Sequence, residues 1–545
     1  MKKEQTNFFA GHVVDVVKRR IFKGIIEVKG GYISAINEAD VKEGVFLLPG
    51  FIDSHVHIES SMLIPSAFAG LAVSHGTTAC VSDPHELANV LGVDGVKFMI
   101  NNGKRVPFKF YFGAPSCVPA TPFETSGAVI DSQSLEHLLK LPEIKYLAEM
   151  MNFPGVIHQD PEVMKKIALA HKYHKKIDGH APGLTGDSIQ KYVEAGISTD
   201  HECTTIEEAV EKISYGMKIL IREGSAAKNF NELIPLIERN PDAVMLCTDD
   251  MHPDDLIKGH INALVRRAVE KGYDIINVLR SVTYNPVKHY RLDAGLLQVG
   301  DKADFIVVDN LSDFNIIETY IDGEVVYKNG TSLIGRFEEK PVNTFNCHAV
   351  KASDLPLKAT SGKIRVIGAL EGQLLTKELI EDTRIENGQA IADTERDILK
   401  MVVLQRYKDS KPAVAFVKGF GLKYGAMAST IAHDSHNIIA VGVHDEDIAA
   451  AINILIEAKG GVAAVDGHQK TVLPLPFGGL MTDLEGEMVA EKYATIEKMV
   501  KQFGSPLKSP FMTLSFMALL VIPDIKLSDK GLFDGRKFQF TKVFV

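Results

Sequence analysis

Cysteine is scarce in this chain: five in 545 residues, an odd number scattered at Cys80, Cys117, Cys203, Cys247 and Cys347. That excludes a disulfide framework and fits a reducing cytoplasm, with each thiol a small buried apolar group. Long apolar runs are missing too. None approaches the ~18 residues of a membrane helix, so no membrane partner is expected; the longest, 516–523, reads as a buried strand. Met1-Lys2-Lys3-Glu4 leads into polar residues rather than the apolar stretch of a secretory leader. Basic charge does not predominate: 60 Lys and Arg against 70 Asp and Glu leave a net charge of −10, which argues against nucleic acid as a partner. No Cys-x-x-Cys, H-E-x-x-H, Walker A or G-x-G-x-x-G motif occurs, and there is no internal repeat or low-complexity tract.

What is present fits a soluble globular protein, at 45% hydrophobic and 24% charged residues. The length predicts two to four domains at roughly 150 residues each. Residues 9–35 alternate short β-branched runs with turns such as Lys29-Gly30-Gly31, a strand-turn-strand pattern. From 51 to about 285 the pattern changes to short apolar runs separated by helical stretches. The runs end near His57, Asp83, Pro115, Glu149, His180, His201, Arg222 and Asp249. Eight strands with intervening helices predict a (β/α)8 barrel. Short-strand grammar returns at 296–330. The expected fold class is therefore α/β: a TIM-like (β/α)8 barrel (50–285), a small β-domain from the flanking segments (1–49 plus 286–335) and a C-terminal α+β domain (346–545) after a polar linker at 336–346. In that last region 413–417 and 438–443 read as strands, and 446–459 and 486–503 as helices.

Leu48-Pro49-Gly50-Phe51-Ile52-Asp53-Ser54-His55-Val56-His57 reads as an apolar strand ending in two histidines spaced i, i+2, which share one side of a strand and can reach one metal ion. Barrel active sites lie at the C-terminal strand ends. The proposed ends carry His55, His57, Glu149, His180, His201 and Asp249, imidazoles and carboxylates suited to Zn, Mn or Fe. Singly each has a plain structural explanation: His180 in a turn, His201 capping a helix, Asp249 as a helix N-cap. Glu149, within Leu147-Ala148-Glu149-Met150-Met151, is costly to bury unless a cation meets it.

The set resembles the amidohydrolase superfamily and, within it, the adenine deaminases. The motifs that carry the resemblance are PGFIDSHVHIESSM (49–62), SDPHELANV (82–90), LAEMMNFPGVI (147–157), DGHAPGLTG (178–186), STDHE (198–202), REGSAAKN (222–229), CTDDMHPDDL (247–256) and, further on, 429–437. Many superfamily members carry a carboxylated lysine on the fourth strand; Glu149 stands at that position here. The resemblance implies a binuclear divalent centre, Mn(II) or Fe(II) with Zn(II) as the other option. His55, His57 and Asp249 would hold one ion and His180 and His201 the second, with Glu149 bridging. It implies conversion of adenine to hypoxanthine and ammonia for purine salvage, Asp249 moving the proton and Glu86 or His85 protonating N1, against a plain role for both at the start of a helix. Asp250 resembles the second aspartate of the Asp-Asp pair that contacts purine N7 in adenosine deaminases. The segments 82–90, with Asp83, and 222–229 are expected to line the purine pocket, and a homodimer is expected. His57-Ile58-Glu59 matches half of the cytidine-deaminase zinc signature, but its Cys-x-x-Cys half is missing. His433, Asp434, His436 and His468 read as polar residues of a domain interface, or as lining the substrate entrance or holding an extra ion. Two alternatives stay open at this stage: another amidohydrolase reaction, on a different aminopurine or a cyclic amide, and a non-catalytic scaffold of the same fold.

Overall fold

The computed structural model describes residues 6–545. Eight strands form the centre: β1 (Phe51–Val56), β2 (Thr77–Ser82), β3 (Lys109–Ala114), β4 (Ile144–Met150), β5 (Lys176–Gly179), β6 (Thr199–Asp200), β7 (Lys218–Arg222) and β8 (Val244–Cys247). Strands β1 to β5 pair in parallel in chain order, as do β6 to β8. Two parallel bridges close the ring: Ile177 to Ile197 joins β5 toward β6, and Val56 to Asp249 joins the end of β1 to the residues after β8. This is the (β/α)8 barrel read from the apolar runs.

Ile52, Ala79, Val81, Tyr111, Tyr146, Ala148, Leu220, Met245 and Cys247 form one buried cluster drawn from six of the eight strands. Only the lumen can bring side chains of so many strands together. On a regular strand, residues an odd number apart face opposite ways. Ile52 and His55, like Ala148 and Glu149, should therefore point apart. The ladder slips between Asp53 and Val56 in β1 and between Leu147 and Met150 in β4. Such bulges re-aim side chains next to active sites, and here they bring His55 and Glu149 to the same end of the lumen.

The segments flanking the barrel build one eight-stranded sheet. Phe46–Pro49 pairs with Phe305–Val308, Leu48 opposite Ile306, so strands from before and after the barrel are neighbours. Only Gly50 separates this sheet from β1; a Cβ there would meet Thr78 Oγ1 at 2.2 Å. The C-terminal region holds a second eight-stranded sheet, covered by the helices Asp445–Ala458 and Gly486–Gln502. The expected strands appear there as Ala413–Lys418 and Ile438–Gly442. The segment 516–523 is not a strand. It continues the helix Pro510–Ser515 through a 3-10 turn, Phe516–Ala518, and then loops. Its backbone bonds locally, Leu519 N–H to Phe516 O at 3.2 Å and Ile522 N–H to Leu519 O at 3.3 Å. Apolar length alone did not distinguish strand from turn. Met62, Leu63 and Leu87 share a core with Phe477, Tyr493 and Phe511, so barrel and C-terminal region are one packed body. No helix among the described residues is long and apolar enough to cross a membrane.

The two-residue β6 is held by Lys212, fully buried. Its ammonium bonds Asp200 at 3.0 Å, Glu208 at 2.7 Å and the Ala181 carbonyl at 2.7 Å. Lys212→Met leaves two buried carboxylates without a cation, a loss of about 3–5 kcal/mol. Urea unfolding followed by circular dichroism should show a lower midpoint; an unchanged curve would show that Lys212 does not hold β6.

Candidate active site and metal centre

Five strand ends converge. His55 Nε2 lies 3.2 Å from His57 Nε2, and both face Asp249 Oδ1, at 3.4 and 3.3 Å. Glu149 stands between two groups: Oε1 faces His57 at 3.6 Å, and Oε2 faces His180 at 2.9 Å and His201 at 3.1 Å. Asp249 caps no helix. It adopts a left-handed φ of 58°, donates its N–H to His55 O at 2.9 Å and accepts the His57 N–H at 3.3 Å. A non-glycine residue held there marks a functional position.

The electrostatics state what the cluster lacks. Burial resists charge on Glu149, but His180 and His201 outweigh it and hold the carboxyl well below its ordinary value. Asp249 is likewise depressed, burial being overcome by Arg222 first and then by His55 and His57. In return the histidines are drawn upward against burial: His57 well above its usual value through Asp249, and His180 to about 9 through Glu202 and Glu149. Several carboxylates thus share the histidines' protons and one fixed cation, Arg222. Ligand atoms of His55, His57 and Asp249, of His55, Glu149 and His201, and of His180, His201 and Glu202 each lie within 4.8 Å of one another. Imidazole and carboxylate donors in that arrangement fit divalent ions, which would replace the protons.

Beside this cluster runs a second buried chain. Asp83 accepts the His85 N–H at 3.1 Å and bonds its Nδ1 at 3.0 Å. Both oxygens of Asp83, expected to contact substrate, bond His85 and orient it. His85 Nε2 lies 3.4 Å from Glu86 Oε1, and His433 Nδ1 reaches the same oxygen at 2.6 Å. His436 Nε2 contacts the other Glu86 oxygen. The helix His85–Leu91 begins here, but its entry carries no side-chain cap at Pro84, and neither His85 nor Glu86 is spent on capping. His433 and Asp434 line the cavity and His436 lies just behind, all three buried, whereas His468 is exposed in a hairpin turn far from them.

The cavity is floored by the metal-type cluster and walled by His85, Glu86, Arg222, Ala227 and Asp250. Ser60 Oγ donates to Asp250 at 2.5 Å. Its ceiling is apolar and C-terminal: Leu374, Phe516, Leu519, Val521 and Ile522. Neither this ceiling nor the pairing of Glu202 with Arg222, at 2.5 and 2.8 Å, is evident from sequence. The one cue to Glu202 is its place directly after His201 in Asp200-His201-Glu202. Arg222 also holds Asp249 Oδ2 at 2.6 Å.

Comparison with known proteins agrees with this geometry. The amidohydrolase family matches residues 46–326, and the adenine deaminase C-terminal domain matches residues 373–539. The chain is 54% identical to an adenine deaminase of Methanosarcina mazei over 98% of its own length and 99% of the relative's. It is 55% identical to one of a Sulfurovum species, over 97% and 98%, and 52% identical to one of Methanosarcina barkeri, over 98% and 99%. The chain belongs to the amidohydrolase family and, within it, to the adenine deaminases.

Proposed function

We propose that this chain hydrolyses adenine to hypoxanthine and ammonia. The observation that carries the reading is the convergence of six imidazole and carboxylate donors from five barrel strand ends beneath an apolar ceiling, in a chain similar to adenine deaminases along its whole length. His55, His57 and Asp249 would hold one divalent ion and His180 and His201 a second, with Glu149 between them; Mn(II) or Fe(II) is the proposed metal, Zn(II) the alternative. Bound there, such ions supply hydroxide at neutral pH.

The chain's own groups do the rest. Arg222 orients Asp249 through Oδ2, and the Asp249 carboxylate takes the proton released as water adds at C6 and returns it to the departing exocyclic nitrogen. His85 is drawn well above its ordinary value, burial being outweighed by Asp83 and Glu86. That pull favours its protonated form, and it faces the cavity, the group suited to protonate N1. Glu86, held ionised against its burial by His433 and His436, fixes His85. Asp250, anchored by Ser60, accepts from the purine N–H at N7. The ceiling covers the flat face of the base and excludes water. We further place the enzyme in purine salvage, as a cytoplasmic homodimer; five buried, unpaired cysteines accord with that compartment, and sedimentation measures the assembly.

Three outcomes are expected. At pH 7 the metal-free enzyme holds a proton on His180, which Glu202 and Glu149 raise to about 9 against its burial. Metal binding requires neutral imidazole, so loading should release protons and tighten as pH rises. Calorimetry in two buffers of different ionisation enthalpy measures the count, and a count of zero contradicts the ligand set.

Asp249→Asn removes a ligand and a base together and should lower kcat by at least about 10²–10⁴-fold. A variant keeping a tenth of wild-type turnover would exclude the role.

Free adenine should be the substrate, not adenosine, because a pocket closed around the edge of the base would leave no room at N9 for ribose. kcat/KM for both compounds, followed to hypoxanthine and inosine, decides it. A preference for adenosine would overturn the substrate and leave the metal site standing.

A further inference from the structure

The far end of the barrel carries a second cavity that the catalytic reading does not use. It measures about 500 Å³ and is lined by Lys176, Lys218, Arg280, Lys288 and Arg291, with one carboxylate, Asp242. Lys176 and Lys218 are the first residues of β5 and β7, so the cavity opens at the strand N-termini, the whole barrel length from His180 and Arg222. The concentration is unusual for the chain, in which acids outnumber bases 70 to 60.

Helix C-termini, which favour cations, account for part of it. Arg280 ends the helix Ile275–Ser281 and Lys288 lies in the last turn of Tyr284–Tyr290. Lys176 and Lys218 stand on strands and have no such explanation. Nor does Asp242 neutralise the group. Its carboxylate is taken by Arg280 at 2.7 Å, and the Lys218 ammonium bonds its carbonyl oxygen instead, at 3.0 Å. Among the described residues Lys176, Lys288 and Arg291 line the cavity without a carboxylate within ion-pair reach. Arg280 is rigid: it donates to Val16 O at 2.8 Å and lies 3.9 Å over the Tyr284 ring. The field at the cavity is positive enough, together with burial, to push the neighbouring His289 down to about 3, with Lys176 and Lys218 as the charges responsible. Like charges gathered in a concave, partly desolvated wall repel one another unless an anion meets them.

We propose that this cavity binds an anion of linked phosphates, either the di- or triphosphate tail of a nucleotide or a free oligophosphate. A single small anion would meet only part of the wall. Five cations against one committed carboxylate, spread around a volume in the range of ligand pockets, match a ligand with several phosphates.

The test is calorimetric titration of the full-length, metal-loaded enzyme at low ionic strength with inorganic tripolyphosphate, ATP and orthophosphate. The double variant Lys176→Gln/Arg291→Gln and the milder Lys288→Gln are titrated alongside. None of these residues touches the catalytic end, so adenine turnover and circular dichroism verify that the variants fold. Metal content is measured after each titration, because oligophosphates also chelate metal. Saturable binding of tripolyphosphate to wild type is expected, stronger than that of orthophosphate, weakening with added salt. Its Kd should rise by about tenfold or more in the double variant and less in Lys288→Gln. ATP binding more tightly than tripolyphosphate would identify a nucleotide as the ligand, and equal affinities a free oligophosphate. Absence of saturable binding to wild type, or equal affinity in wild type and the double variant, would overturn the proposal.

Discussion

Everything at the catalytic end depends on how the barrel closes. The ring is completed where the backbone after β8 meets the end of β1, and the residue at the seam is Asp249 in a left-handed conformation. One peptide unit thus does two things. It ties the last strand to the first, and it turns a carboxylate toward both histidines of β1. Fold closure and ligand placement are the same contact, which makes the site intolerant of any slip in register between β1 and β8.

Charge then fixes what can occupy that seam. The carboxylates of Glu149, Asp249 and Glu202 are buried around four histidines and a single guanidinium, Arg222. Buried carboxylates persist only with compensating positive charge. Protons on the imidazoles supply it in the metal-free chain, and divalent ions would supply it more completely. The neighbouring chain from Asp83 through His85 and Glu86 to His433 and His436 repeats the logic, each carboxylate there facing an imidazole. The two networks meet at Glu149 and His85, 3.4 Å apart, so the proton-handling side of the pocket and the ligand side share one electrostatic field.

The barrel was legible because its strands are continuous apolar runs bounded by polar punctuation, the pattern of a sheet buried on both faces. The six clustered imidazole and carboxylate residues were legible because they stand where those runs stop. Less of the surrounding site could be read. The bulges that re-aim His55 and Glu149 arise from ladder slips that no residue type announces. Asp83 was expected to contact substrate through the resemblance of segment 82–90; its hydrogen bonds to His85 appear only in three dimensions. The segment 516–523 has the composition of a strand but serves as a ceiling, because its backbone closes local turns on itself, Leu519 N–H to Phe516 O and Ile522 N–H to Leu519 O, instead of entering a ladder. Glu202 and Arg222 needed the fold to bring β6 and β7 side by side. In each case the missing information is non-local pairing, which short windows of sequence do not contain.

The division of the pocket between floor and ceiling has a consequence for how the protein is made. The last residue of the ligand set is Asp249, whereas the ceiling begins at Leu374 and is completed by the segment around Phe516 to Ile522. During synthesis from the amino terminus the donors are therefore all present well before anything exists to cover them. Ions can enter a still open mouth, and the purine pocket comes into being only as the final third of the chain emerges. On the proposed ligand set a nascent chain would bind metal before it could act as a catalyst, the order of synthesis setting the order of loading and enclosure.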